Sequence, residues 1–449
     1  MNPSLKAITT LSLAASLALS GCSSSQSPSS AASDDSGKKE ATSTFTVPTD
    51  PVTLKFLVHG VSLSDVDFQT FYVEPLKKKY PHITLELMTK TNGTTEALEK
   101  LIAANDMPDI IMLDNDWYMP LKQLGIPEDL TDLIKKFQID LTKLDPQTVQ
   151  TVRGLEPGKF PLMPYYQSAG AMFYNKDLFN QFGLPYPKDD MQWPEVMELA
   201  RKMTRMQDGV QYIGVDLRLP DHMVSPYSQP FVDPKTNKAL IDTPLYKRVL
   251  EVFDQMYKMP GFVSGNKYAY APDGFIKDKN VAMVPDWYSK TLSDLVQAQA
   301  NGMAPDWDLV TNPTFEDRVG KGRHAIAGGL VISKTSKHKD QAMQVLQMMA
   351  SREEQILLSS NAKVTIMNDD GVKKAFGTAI PALKDKNTAA IFKYPASPTP
   401  PANIADKEVQ SIIRDMRKGI AIDKKDINTV LREAQEKADK KIAELTVSK

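Results

Sequence analysis

Three short stretches carry the side chains of this 449-residue chain best suited to holding a ligand. Leu113 is followed by Asp114-Asn115-Asp116-Trp117-Tyr118, Pro164 by Tyr165-Tyr166-Gln167, and Val284-Pro285 by Asp286-Trp287-Tyr288. An aromatic face meets the C–H side of a sugar ring, and adjacent carboxylates and amides hydrogen-bond its hydroxyls. The candidate ligand contacts are therefore Trp287, Asp286, Trp117, Asp116, Tyr165, Tyr166 and Gln167, with His59 after the first strand. Trp193, at a helix start, and Trp307, before a strand, read as packing residues.

Other chemistries lack their motifs. There is no G-x-x-x-x-G-K-[ST] phosphate loop and no G-x-S-x-G elbow. Gly320-Lys-Gly322-Arg-His-Ala325 fits a loose dinucleotide pattern but leads into a strand rather than a helix. Asp114-Asn115-Asp116 begins like a calcium loop, yet Trp117, Tyr118 and Pro120 replace the remaining ligands. The five histidines show no HExxH or HxH spacing, and the single cysteine, Cys22, excludes an intrachain disulfide and a cysteine-built zinc site. No carboxylate pair is singled out for glycoside hydrolysis. The expectation is no metal and no cofactor.

The elements that must position these residues alternate. Val52–Val58 and Ile83–Leu87 read as strands around a helix from Val66 to Tyr80 that Pro81 stops. Glu96–Ala104 reads as a helix, and Pro108–Leu113 as a buried strand. Ala169–Tyr174 is a strand, and Pro194 and Glu195 suit the first turn of the next helix. Strands are expected near Met283, at Asp308–Val310 and at Ala327–Ser333. A long C-terminal helix, capped by Asp423, carries an apolar stripe from Ile427 to Leu445. Such alternation predicts an α/β architecture with helices on both sheet faces, whose ligands bind beyond the carboxyl ends of strands.

Composition is that of an ordinary globular protein, with 41% hydrophobic and 24% charged residues. The formal net charge of −1 lacks the basic excess of a nucleic-acid binder. Residues 1–21 read as a secretory signal: Lys6, then an apolar run from Ala7 to Leu19 that is too short for a bilayer, which needs ~20 residues. Leu19-Ser20-Gly21-Cys22 resembles the bacterial lipobox, so Cys22 is the expected lipidation site. Residues 22–50 read as the lipidated cysteine and a flexible, Ser-rich tether.

Together these segments resemble the extracellular (family 1) solute-binding lipoproteins of ABC importers, in the maltose-binding-protein group. The likeness covers most of residues 51–449. It rests on the "KYP" break between Phe71 and Leu87, Pro108-Asp109-Ile110-Ile111, Tyr174-Asn175-Lys176-Asp177-Leu178-Phe179, Gly183-Leu184-Pro185, Val281-Ala282-Met283 and Gly328-Gly329-Leu330-Val331-Ile332-Ser333. Leu113 and Ser168 depart from that group's pattern, and the ligand's identity stays open.

The resemblance implies a periplasmic-binding-protein type II fold: two discontinuous α/β lobes joined by a hinge, with a ligand cleft between them. Lobe 1 would comprise residues 51–164 and 313–352, and lobe 2 residues 165–312 and 353–449, with crossovers near Pro164 and Pro313. Its ligand contacts fall on Asp116, Trp117, Tyr165 to Ser168, Trp287 and Gly329. The implied protein is a monomeric, non-enzymatic receptor, lipid-anchored on the extracytoplasmic face of the cell membrane. It captures a saccharide and delivers it to a permease. Alternatives are a peptide, polyamine or metal-chelate receptor of the same fold, or a surface glycoside hydrolase.

Overall fold

Among the described residues, ten strands build two main sheets and a small ribbon: β1 (Val52–Val58), β2 (Ile83–Leu87), β3 (Ile110–Asp114), β4 (Met163–Ser168), β5 (Gly170–Asn175), β6 (Arg205–Gln207), β7 (Val210–Tyr212), β8 (Met283–Trp287), β9 (Trp307–Thr311) and β10 (Ile326–Ile332). The computed structural model describes residues 46–447, so Cys22 and the secretory signal lie outside the described residues.

The first sheet has the order β2-β1-β3-β10-β4. β1 runs parallel to β2 and β3, while β10 is antiparallel to β3 and β4. β1, β3 and β10 are apolar because helices cover them; Leu54, Phe56, Ile110, Ile111, Leu330 and Val331 are fully buried. The second sheet, β8-β5-β9, is antiparallel throughout. Its core takes in Phe173, Met283 and the packing tryptophans Trp193 and Trp307, both at most 1% exposed.

The chain leaves the first sheet at Ser168, enters the second at Gly170, and returns between Thr311 and Ile326. Tyr165–Gln167, expected as a strand-end loop, is therefore part of β4, paired with β10. Likewise Asp286 and Trp287 belong to β8, and a helix starts directly at Tyr288. Both stretches have the aromatic, side-chain-alternating character that suits a pleated surface.

The expected helix over 66–80 is helical from Asp65 to Lys79, with one π turn at Gln69–Val73. The final helix spans Ile427–Val447, and its cap is Asp426 rather than Asp423: the Asp426 carboxylate accepts from the Thr429 N–H at 3.1 Å. A separate amphipathic helix, Asp406–Ala421, precedes it, burying Val409, Ile412, Ile413, Met416 and Ile420 on one side. Its other side matters for the site.

Candidate functional site

The carboxyl ends of β3 and β8 open on one cavity of about 350 Å³. β3 delivers Asp116 and Trp117 to its wall, and β8 delivers Trp287. The helix Asp406–Ala421 supplies Asp406, Lys407, Gln410 and Arg414. The last two follow Asp406 by four and eight residues, so they share its face. The short helix Pro220–Val224 adds Asp221 and His222, and His324 enters just before β10.

Trp287 is held from several directions. The His222 and His324 rings stand edge-on to it, with centroids at 5.9 and 5.8 Å. The Arg323 guanidinium lies 5.0 Å from its ring centroid. Burial lowers the pKa of both histidines, so each is a neutral imidazole at neutral pH. His324 Nδ1 bonds Ser225 Oγ at 2.8 Å.

Trp117 has a different setting. An added Cβ at Gly60 or Gly93 would come within 2.7 Å of its ring carbons, so only glycine lets the backbone back this indole. Both glycines also have positive φ, +71° and +85°. The Lys407 ammonium lies over the ring, 4.3 Å from its centroid.

Both cations of the wall, Lys407 and Arg414, are paired with carboxylates, and Asp406 and Glu408 add two further acidic groups to it. Asp221 accepts from Arg414 Nη2 at 2.7 Å and from Gln410 Nε2 at 3.1 Å. Lys407 Nζ lies 3.5 Å from Asp116 Oδ2, and Asn115 Nδ2 donates to Asp116 Oδ1. Burial pushes the Asp116 carboxyl up, but the Lys407 ammonium beside it outweighs this and brings it net below the usual carboxylate range. Burial raises Asp406 to about 7, and its Oδ1 has no partner.

Of the residues expected from sequence, Trp287, Trp117 and Asp116 line this cavity together. The others do not line it. His59 is fully buried, its Nδ1 bonded to Thr91 Oγ1 at 2.8 Å, and burial pushes its pKa down to about 4. The Tyr165 ring packs edge-on against Tyr72, and its carbonyl accepts from Gln355. Tyr166 donates to Asp114, and Gln167 donates to the Thr365 carbonyl. Ser168 Oγ bonds Ser289 Oγ at 3.2 Å, linking β4 to the helix after β8. Asp286 lies behind Trp287, accepting from Arg218 Nε at 2.9 Å and from the Trp287 N–H at 2.8 Å. Gly329 faces Leu162, which a Cβ there would strike.

Sequence reasoning missed Asp221, His222, His324, Asp406, Lys407, Gln410 and Arg414. The one local signal was the Asp406, Gln410, Arg414 spacing opposite an apolar stripe. The histidines converge from positions 222 and 324, which no spacing rule reaches.

The model of bacterial extracellular solute-binding proteins matches residues 65–356. The chain belongs to this family. Among curated relatives, a Brucella abortus binding protein is 23% identical over 399 residues, covering 82% of this chain and 89% of the relative. Among solved structures, the solute-binding protein's fold is similar to ABC substrate-binding protein Lmo0181 from Listeria monocytogenes in complex with cycloalternan: TM-score 0.70, 20% identity, 88% of this chain and 100% of that one. It is also similar to UgpB from Mycobacterium tuberculosis in complex with glycerophosphocholine: TM-score 0.68, 15% identity, 88% and 99% coverage. The fold is thus the type II periplasmic-binding-protein fold expected from the sequence.

Proposed function

We propose that this protein captures a neutral carbohydrate, an oligosaccharide, and delivers it chemically unaltered to the permease of an ABC importer. The observation that carries this is the meeting of Trp287 and Trp117 in one cavity whose carboxylates, amide and guanidinium can bond hydroxyls. The two tryptophans come from different sheets, so a ligand touching both favours the closed arrangement of the two lobes over the open one by differential affinity. A micromolar dissociation constant corresponds to about −8 kcal/mol. Two stacked rings and several hydrogen bonds in a largely enclosed site are of the right order for that.

A glycerophosphodiester is the second reading, favoured by Arg414 and Lys407 in the wall. Both of these cations already face carboxylates, Asp221 and Asp116, and Arg323, whose Nε and Nη1 are unpaired, is not among the residues lining the cavity, so the wall itself offers a phosphate no unpaired cation. That matching favours the neutral ligand. A thermal-shift screen against oligosaccharides, polyamines, peptides and glycerophosphocholine separates the readings, since a ligand that binds only the folded state raises Tm. An oligosaccharide hit is expected. Release of new reducing ends from it would instead make the protein a hydrolase.

The same proposal places the protein as a monomer on the extracytoplasmic face of the cell membrane, anchored through Cys22. No helix among the described residues is long and apolar enough to cross a membrane, and the lipobox-like Leu19-Ser20-Gly21-Cys22 supports the anchor. Cys22→Ser should move the protein from the membrane fraction to the soluble one.

A further inference from the structure

Trp117 lines the cavity, backed by main chain and overlaid by a cation. Gly60 and Gly93 back the indole, with hypothetical Cβ atoms 2.6–2.7 Å from its ring carbons. Lys407 Nζ lies over the ring at 4.3 Å from the centroid, and 3.5 Å from the Asp116 carboxylate. One ammonium thus covers an aromatic face and caps a hydrogen-bonding carboxylate, the two features of this wall that a sugar would use. Lys407 rides on the first turn of the helix Asp406–Ala421, beside Asp406, and Arg414 lies two turns on in the same wall, paired to Asp221. A lysine in the first helical turn opposes the helix dipole, so helix formation does not call for it there.

We infer that Lys407 is a built-in competitor for the Trp117–Asp116 subsite: the ligand-free protein holds its own cation there, and a saccharide must displace it to stack on Trp117. This rests on the saccharide reading of the cavity and adds the residue that sets access to it. Because the Lys407 and Asp116 side chains are each about one-third exposed, at 32% and 31%, the contact is open to salt screening. Added salt therefore loosens the competitor and favours a neutral ligand.

The test uses the full chain and the oligosaccharide that gives the largest thermal shift, titrated by calorimetry at low and high salt. Lys407→Ala is expected to tighten binding roughly threefold to tenfold, the range a partly exposed cation–π contact supplies. It should also abolish the tightening that salt produces in the parent. Lys407→Arg, which keeps a cation for the ring, should retain the salt effect. Weaker binding by Lys407→Ala would make Lys407 a ligand donor and overturn the inference, and so would unchanged affinity. A ligand-free measurement keeps the saccharide reading separate. Acrylamide quenching attributable to Trp117, taken as the difference from a Trp117→Phe background, should rise in Lys407→Ala. If no saccharide binds either protein, the functional reading fails while a quenching increase still supports the covered subsite. Unchanged quenching would overturn the inference by itself.

Discussion

The Arg323 guanidinium lies 5.0 Å from the Trp287 ring centroid and is itself 3% exposed. Its Nη2 donates to Asn312 at 2.9 Å, while Nε and Nη1 have no hydrogen-bond partner. Burial lowers its pKa to about 10, so the cation is held at a cost. That cost is reasonable for a residue whose task is to hold the indole against the cavity. Arg323→Met should change Tm little, because relief from holding a buried cation is offset by leaving the buried Asn312 Oδ1 without its donor. Oligosaccharide affinity should fall about threefold to tenfold as Trp287 loses its backing. Calorimetry beside a melting curve checks both halves; a lower Tm with unchanged affinity contradicts the assignment.

Asp221 ties the helix Pro220–Val224 to Arg414 and Gln410 of the helix Asp406–Ala421. The aspartate is buried, at 7% exposure, and Arg414 is left with no such partner if it is truncated. Asp221→Ala should cost on the order of 2 kcal/mol, below the range for a fully buried pair because Arg414 keeps some contact with water. Urea unfolding measures it. A loss under half that size would mean that Arg414 finds water or another partner.

Gly328 is required by Tyr166. A Cβ there would lie 1.7 Å from Tyr166 Cε1, and the ring is itself held by its hydroxyl on Asp114. Gly328→Ala must push the tyrosine off β10 and break that bond. A destabilisation of about 1–3 kcal/mol is expected, the usual range for overpacking. In a Tyr166→Ala background, Gly328→Ala should add little further cost if the clash is the cause; an unaltered melting curve for Gly328→Ala alone would refute it.

Glu354 gives a pH signature. It is 3% exposed, and Oε1 has no partner. Burial, aided by Glu353, pushes its carboxyl up to about 8 from the ordinary 4.5. The folded state therefore keeps a proton that the unfolded chain gives up. The stability tied to that proton is full below about pH 4.5 and is lost as pH rises towards 8. Glu354→Gln has nothing to ionise, so its Tm relative to the parent should rise steadily between these two values. A difference that does not change with pH contradicts this.

Much of the scaffold was legible because it follows local rules. The buried runs of β1, β3 and β10, the Pro81 stop and the capped helices all announce themselves in composition and period. Trp287, Trp117 and Asp116 were legible because a tryptophan beside a carboxylate at a strand end is poorly explained by packing alone. The Tyr165–Gln167 stretch misled for a local reason: an aromatic run suits a buried strand as well as a binding loop. Only its pairing with β10 decides between them. His222, His324 and Arg414 were illegible because tertiary convergence places them, and the helix carrying Asp406, Lys407 and Arg414 was not read separately from the C-terminal one.

The proposed capture requires two indoles from different sheets to grip one neutral guest. Calorimetry of the best-shifting oligosaccharide against the parent, Trp287→Ala and Trp117→Ala tests it most directly, with the sugar recovered afterwards and weighed by mass spectrometry. Trp287→Ala should lose roughly 30-fold in affinity, about 2 kcal/mol for a buried aromatic anchor, with Tm nearly unchanged. Trp117→Ala should lose less, since its face is already occupied by Lys407, and the sugar should return with its mass unaltered. Equal affinity in all three proteins, or a cleaved sugar, would contradict the account.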